Sequence, residues 1–208
     1  MESSQIEKVK KEYEEFADKY AAANFHNPLQ YQLSEFCSLL PKEEKSKIKI
    51  LDVGCGPGRD VEYLMEEGYD ILGIDFSEEM IKVAKKLVPN GKFEVADFTE
   101  KDFDEDSFSG IWCNAALLHI PKEYAKNIFA KFLKWLKPGG ILFISMLEGE
   151  GQQELWIKRF YQNPLTAYFY RLNELIQELE ETGFEIVKYH NEYDFDNNWI
   201  DVFCRKPE

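Results

Sequence analysis

Histidine, cysteine and basic side chains are scarce in this sequence, and each scarcity excludes something. The three histidines, His26, His119 and His190, show no metal-ligand spacing, and the four cysteines, Cys37, Cys55, Cys113 and Cys204, form no Cys-x-x-Cys pair. A structural metal is therefore not expected, and scattered thiols favour a reduced, cytoplasmic setting over a disulfide framework. Nowhere does the chain approach the ~18 consecutive apolar residues that a membrane-spanning helix needs. The opening Met1-Glu-Ser-Ser-Gln-Ile-Glu-Lys8 has no apolar centre, so no secretory signal is expected. Lysine and arginine number 25 against 39 aspartates and glutamates, a formal charge of −14. That surface has no excess of cations to displace counterions from a nucleic acid or to seek an anionic membrane, so neither is expected as a partner.

What is present describes a globular protein. In 208 residues, 44% are hydrophobic and 31% charged, enough to bury a core as a single domain. Ile6, Val9, Tyr13, Phe16, Ala17 and Tyr20 recur at steps of three and four, which predicts a helix from Gln5 to about Ala23. An apolar stretch from Tyr31 to Leu40 stops at Pro41, and Pro41 to Lys47 reads as an exposed linker.

From Ile48 short apolar runs alternate with helical patterns. Strands are expected at 48–53, 69–74, 92–96, 109–113 and 141–147. Helices are expected from Arg59 to Glu67, after the cap Ser77, and from Lys122 to Lys137, the last ended by Pro138-Gly-Gly140. Such alternation implies βαβ units in a doubly wound, mostly parallel sheet with helices on both faces. Phe184 to Tyr189 and Trp199 to Cys204 have no helix between them, so they should pair as an antiparallel hairpin at the sheet edge.

The chemistry points to Leu51-Asp-Val-Gly-Cys-Gly-Pro-Gly58, where the first strand hands over to a helix. Three glycines free the backbone for a tight turn and a close ligand approach. A nicotinamide-binding fingerprint would place its third glycine at position 59, which is Arg59 here, so an oxidoreductase is disfavoured. Asp75, at the end of the next strand, can accept hydrogen bonds from both hydroxyls of a ribose.

These pieces resemble the class I S-adenosylmethionine-dependent methyltransferases. The matching segments, in order, are Tyr13 to Tyr20, Ile50 to Arg59, Gly73-Ile-Asp-Phe-Ser77 and Glu79-Met80. Val95-Ala-Asp-Phe98, Leu117-Leu-His-Ile120 and Leu136-Lys-Pro-Gly-Gly-Ile-Leu142 continue the series, and the likeness covers about residues 13 to 206. The resemblance implies a seven-stranded sheet and S-adenosylmethionine as cofactor, released as S-adenosylhomocysteine. It implies a single methyltransferase domain: a helical N-terminal cover at 1–47, a cofactor-binding core at 48–147, an aromatic cap at 148–172, and a last helix and hairpin at 173–208. It implies cofactor contacts from Asp52, Gly54, Cys55, Gly56, Gly58, Asp75, Phe76 and Met80. Asp97, Phe98, Asn114, Ala115 and Tyr20 complete that set. The implied function is methyl transfer to a small molecule; a non-catalytic cofactor-binding or regulatory protein of the same fold is the alternative.

Several residues keep a second reading. Asp97 stands in a stretch, 94–106, with seven acids and one lysine, which also suits a solvated run; 174–196, with eight acids and one lysine, reads as surface. His119 is a candidate general base or a pocket-shaping side chain. Tyr13 and Tyr20 are either helix-face packing or a lid over the site. Trp156, Arg159, Tyr168 and Tyr170, with Tyr13 and His119, are candidate acceptor contacts; a plain cap core is the rival for the aromatic segment.

Overall fold

The computed structural model describes residues 3–155, 165–194 and 197–208. Two helices open the chain, α1 (Ser3–Asn24) and α2 (Gln30–Leu39). Then come β1 (Lys49–Val53), α3 (Arg59–Glu66), β2 (Asp70–Asp75), α4 (Glu78–Leu87), β3 (Lys92–Val95) and β4 (Phe108–Asn114). The chain continues through α5 (Lys122–Trp135), β5 (Leu136–Leu147), β6 (Gln152–Leu155), β7 (Leu165–Tyr168), α6 (Leu172–Thr182), β8 (Glu185–Asp194) and β9 (Asn197–Arg205).

Seven strands form one sheet in the order β3-β2-β1-β4-β5-β9-β8. The first five are parallel, whereas β9 runs antiparallel between β5 and β8, as the missing helix implied. The chain winds outward through β1, β2 and β3, then restarts on the other side with β4. The carboxyl ends of β1 and β4 therefore flank the point where the winding reverses, the place where open α/β sheets bind ligands.

The two faces of the sheet are built by period-2 alternation. Ile50 of β1 packs with Phe36 of α2, Val61 and Leu64 of α3, and Ile81 of α4. Its neighbours Leu51 and Val53 pack on the opposite side with Phe129 and Phe132 of α5 and Leu175 and Leu179 of α6. Trp112 of β4 stacks on Phe143 of β5 with ring centroids 3.9 Å apart. Truncating either ring would cost about 3–5 kcal/mol. A third, smaller cluster holds α1: Val9 and Phe16 meet Leu165 of β7, with Tyr13, Tyr20, Ala23 and Phe76 around them. Of the two opening helices, α2 packs into a main core through Leu33 and Phe36, with Leu40 at its end, whereas α1 is held mainly by this third cluster, with Ile6 against the other core.

One expectation needs correction. The helix expected to run to Lys137 ends at Trp135, and Pro138-Gly-Gly140 lies inside β5. Leu136 already pairs with Phe108, and the register then shifts, so that Ile141 pairs with Gly110. Proline disfavours helix at Lys137, and the intervening residues bulge out of the ladder. Within the segment expected as an aromatic cap, β6 and β7 pair antiparallel as a second small sheet, strands not expected from the sequence. Among the described residues, no helix is long and apolar enough to cross a membrane.

Candidate active site

The loop after β1 folds around its own neighbours. The N–H groups of Gly54 and Cys55 both donate to the Ile74 carbonyl at 2.8 and 3.0 Å, tying the loop to the end of β2. Gly54 has φ +71°, and a Cβ there would stand 2.5 Å from the Cβ of Ala116. Gly56 has φ +51°, and a Cβ on it would meet only the Tyr20 ring, at 3.8 Å. The loop is therefore closed against β4 at one glycine and open under an α1 tyrosine at the other.

Asp75 anchors the next strand end. Its Oδ2 accepts the Gly56 N–H at 3.0 Å and its Oδ1 the Ser77 N–H at 2.9 Å. It is 7% exposed. Burial pushes its pKa up to about 6, although both N–H donors pull the other way. Asp52 is 2% exposed, and its Oδ2 has no protein partner among the described residues. Burial, reinforced by nearby Asp60 and opposed by Arg59, holds its carboxyl well above the ordinary range. A carboxylate this deep is costly unless something cationic or hydrogen-bonding meets it.

Arg59 was noticed in the sequence only as a break in the glycine pattern. Its Nε and Nη2 donate to the two Asp60 oxygens at 2.6 and 2.8 Å, and its Nη1 reaches the Asn27 carbonyl at 3.1 Å. Trp112 Nε1 donates to the same Asp60 at 2.9 Å. The network locks the start of α3 to the segment that leaves α1. Cys55 and Met80 are buried, Met80 in the first turn of α4, where its N–H donates to the Ser77 Oγ.

On the other side stands a pair that the chain brings together from 106 residues apart. The Tyr13 hydroxyl lies 3.0 Å from His119 Nε2, and His119 Nδ1 lies 3.0 Å from the Thr166 carbonyl. A carbonyl only accepts, so Nδ1 carries the proton and Nε2 accepts from the phenol. His119 is 7% exposed. Burial pulls its pKa down to about 4, with the Thr166 carbonyl opposing, so the ring is neutral at pH 7. Tyr13 also meets Tyr20 and Phe76 edge-on at 6.0 and 6.1 Å. The two tyrosines pack together on one helix face, with Phe76 beside them.

Asp97 is half-buried within the acidic run. Its Oδ1 accepts the Thr99 N–H and hydroxyl at 2.8 and 2.7 Å, while Glu94, Asp102 and Asp106 pair with Lys101, Lys134 and Lys206. Phe98 is half-buried beside Phe132; Asn114 ends β4 and Ala115 follows it at φ +55°. Tyr168 is half-buried on the Thr166 face of β7. Tyr170 is not gathered to the pair: it is buried in the main core, with the Lys122 ammonium over its ring at 4.2 Å and its hydroxyl toward Glu178 of α6. Trp156 and Arg159 lie outside the described residues. The Thr166 carbonyl had no signal in the sequence, since every residue carries one.

Residues 50–140 match the family model described as a methyltransferase domain. The match covers less than half of the chain, and it makes that stretch, which contains the glycine loop and Asp75, similar to a methyltransferase domain. Phosphoethanolamine N-methyltransferase 3 of Arabidopsis thaliana is 40% identical over 116 residues, covering 53% of this chain and 23% of that protein. The chain therefore spans less than a quarter of that relative. A S-adenosylmethionine-dependent methyltransferase of Methanosarcina mazei shares the fold with a TM-score of 0.73 at 20% identity, over 83% of this chain and 97% of that one. The 1,6-didemethyltoxoflavin-N1-methyltransferase of Burkholderia thailandensis, solved with its acceptor and S-adenosylhomocysteine, does so at 0.71 and 18% identity, over 100% and 92%.

Proposed function

We propose that this methyltransferase domain binds S-adenosylmethionine on the Gly54–Gly58 side and transfers its methyl group to a small molecule held against Tyr13 and His119. The observation that carries the reading is the orphaned Asp52 carboxylate beside an open glycine cradle and the doubly anchored Asp75. These groups fit the cofactor. Asp75 keeps lone pairs for ribose hydroxyls after taking its two N–H donors. Asp52 offers an acceptor to an ammonium, and Gly56 leaves room for the amino-acid end beneath Tyr20. The acceptor class is supported by relatives that act on small molecules, one named for phosphoethanolamine and one for 2-methyl-6-phytyl-1,4-hydroquinone.

When bound, the cofactor supplies a methyl group on a sulfonium, a leaving group that needs no further activation. The chain's own residues then have to orient the acceptor, exclude water and handle one proton. Tyr13, Tyr20 and Phe76 close the site with aromatic surface. Neutral His119 accepts a hydrogen bond from the Tyr13 hydroxyl, which holds that hydroxyl in one orientation at the proposed acceptor side. Because Nε2 is already engaged and its basicity is low, the pair aligns the acceptor more than it drives the proton off. Formal charge supports a reading without nucleic acid as substrate, and four free thiols support a reduced, cytoplasmic location.

The test is a panel of small amines and phenols incubated with the protein and S-adenosylmethionine, with S-adenosylhomocysteine release as readout. Release above background with at least one acceptor is expected. Tight binding of NAD with no response to S-adenosylmethionine would refute the reading.

A further inference from the structure

The segment that follows β3 repays a full hydrogen-bond account. Ala96 N–H donates to the Asp75 carbonyl at 2.9 Å, so the segment leaves the sheet one strand outward from the proposed ribose site. Within it, the Asp97 carbonyl takes the N–H groups of Glu100 and Lys101 at 3.1 and 2.7 Å. Asp97 Oδ1 takes the Thr99 N–H and hydroxyl. The two remaining carbonyls, of Phe98 and Thr99, go to a single distant donor, the Lys131 ammonium of α5, at 3.2 and 2.9 Å. Among the described residues, the Phe98 N–H and the second Asp97 carboxylate oxygen are left without a protein partner.

Planar peptides connect these facts. Fixing the Phe98 carbonyl fixes the Thr99 N–H behind it, which holds Asp97 Oδ1. Fixing the Thr99 carbonyl fixes the Glu100 N–H, which holds the Asp97 carbonyl and, through the next peptide plane, aims the Phe98 N–H. One ammonium therefore sets both unused groups. They are one donor and one acceptor on consecutive residues, the two kinds of group that the N1 acceptor and N6 donor of adenine need, and the residues to which the family resemblance assigns the adenine edge. A 6-oxopurine inverts both positions and would leave each group facing its own kind.

We propose that Lys131 is a positioning residue: by holding the Phe98 and Thr99 carbonyls it aims the Phe98 N–H and the Asp97 carboxylate at the base of the bound cofactor, and so sets selectivity for adenine. This rests on the methyltransferase reading above and adds to it a residue far from any reacting atom.

Calorimetry with S-adenosylhomocysteine and its inosine counterpart tests it, read as the ratio of the two Kd values. Both ligands bind the folded chain, so the ratio is insensitive to any loss of stability. The wild type should prefer the adenine form by about 10- to 100-fold, the scale of one or two buried groups left unmatched. Lys131→Met should cut that preference to about threefold or less while weakening S-adenosylhomocysteine by about tenfold. Lys131→Arg, which still offers two donors, should restore most of the preference. Lys134→Met removes the neighbouring pair with Asp102 on the same helix and should leave the ratio unchanged. A Lys131→Met ratio equal to the wild type's overturns the proposal, as does equal loss in Lys134→Met. A wild type that binds both ligands alike refutes the adenine edge and with it the role of Lys131. A wild type that binds neither refutes the methyltransferase reading itself.

Discussion

The two halves of the proposed site are built by different means. The cofactor half is local: Gly54, Gly56 and Gly58 lie within five residues, Asp75 follows on the adjacent strand, and the bonds that shape it run mostly to backbone. The acceptor half is assembled at long range: Tyr13 comes from α1, His119 from the turn after β4 and the Thr166 carbonyl from β7. A half made of backbone tolerates little change of residue type but is indifferent to most of the chain. A half made by docking three segments can change its ligand without changing the fold, and depends on the small cluster that holds α1.

The contrast can be broken hardest at Gly54. Gly54→Val places a β-branched side chain at φ +71° and against Ala116, and should destabilise the fold by about 2–5 kcal/mol. Urea unfolding measures it; a loss under about 1 kcal/mol would mean that the loop is softer than its contacts imply.

The next effect is a pH dependence confined to the cofactor half. Asp75 has a pKa of about 6 in the folded, ligand-free chain against an ordinary 3.8. Its protonation therefore favours the folded chain: that contribution is full below 3.8 and lost as pH rises through about 6. Ribose hydroxyls need the carboxylate, so the Kd for S-adenosylhomocysteine should rise about tenfold per pH unit below 6, and Asp75→Asn should abolish that slope. A flat wild-type profile from pH 7 to pH 5 would contradict it.

A smaller effect sharpens the acceptor half. Tyr13→Phe and His119→Ala should each raise the acceptor KM by about tenfold with kcat changed far less, and the double variant should cost little more than either single one. That non-additivity marks a shared bond. A turnover loss above about a thousandfold in His119→Ala at saturating acceptor would instead make His119 a general base.

The residues proposed for the cofactor half could be named from the sequence because short-range codes mark them: a strand, three glycines with unusual φ, and an acid at the next strand end. The order of strands and the terminal antiparallel pair followed from where helices stood and where one was missing. The acceptor half was half legible. Tyr13 and His119 could each be named, but their 3.0 Å bond joins positions 106 residues apart and leaves no periodic trace. The Thr166 carbonyl that sets the histidine tautomer is a backbone group, and Tyr170 was drawn to the site by composition when its neighbours in space lie in the core. The end of α5 was missed because proline and glycine were read as punctuation outside a strand rather than as a bulge within one.

The most direct measurement of the account is calorimetric titration of S-adenosylhomocysteine into three proteins at pH 7.5. Wild type should bind; Asp75→Ala should bind about 10- to 100-fold more weakly, the scale for hydrogen bonds to a charged group; and His119→Ala should match the wild type. No binding by the wild type, or an equal loss in Asp75→Ala and His119→Ala, would contradict a site divided into a local cofactor half and a docked acceptor half.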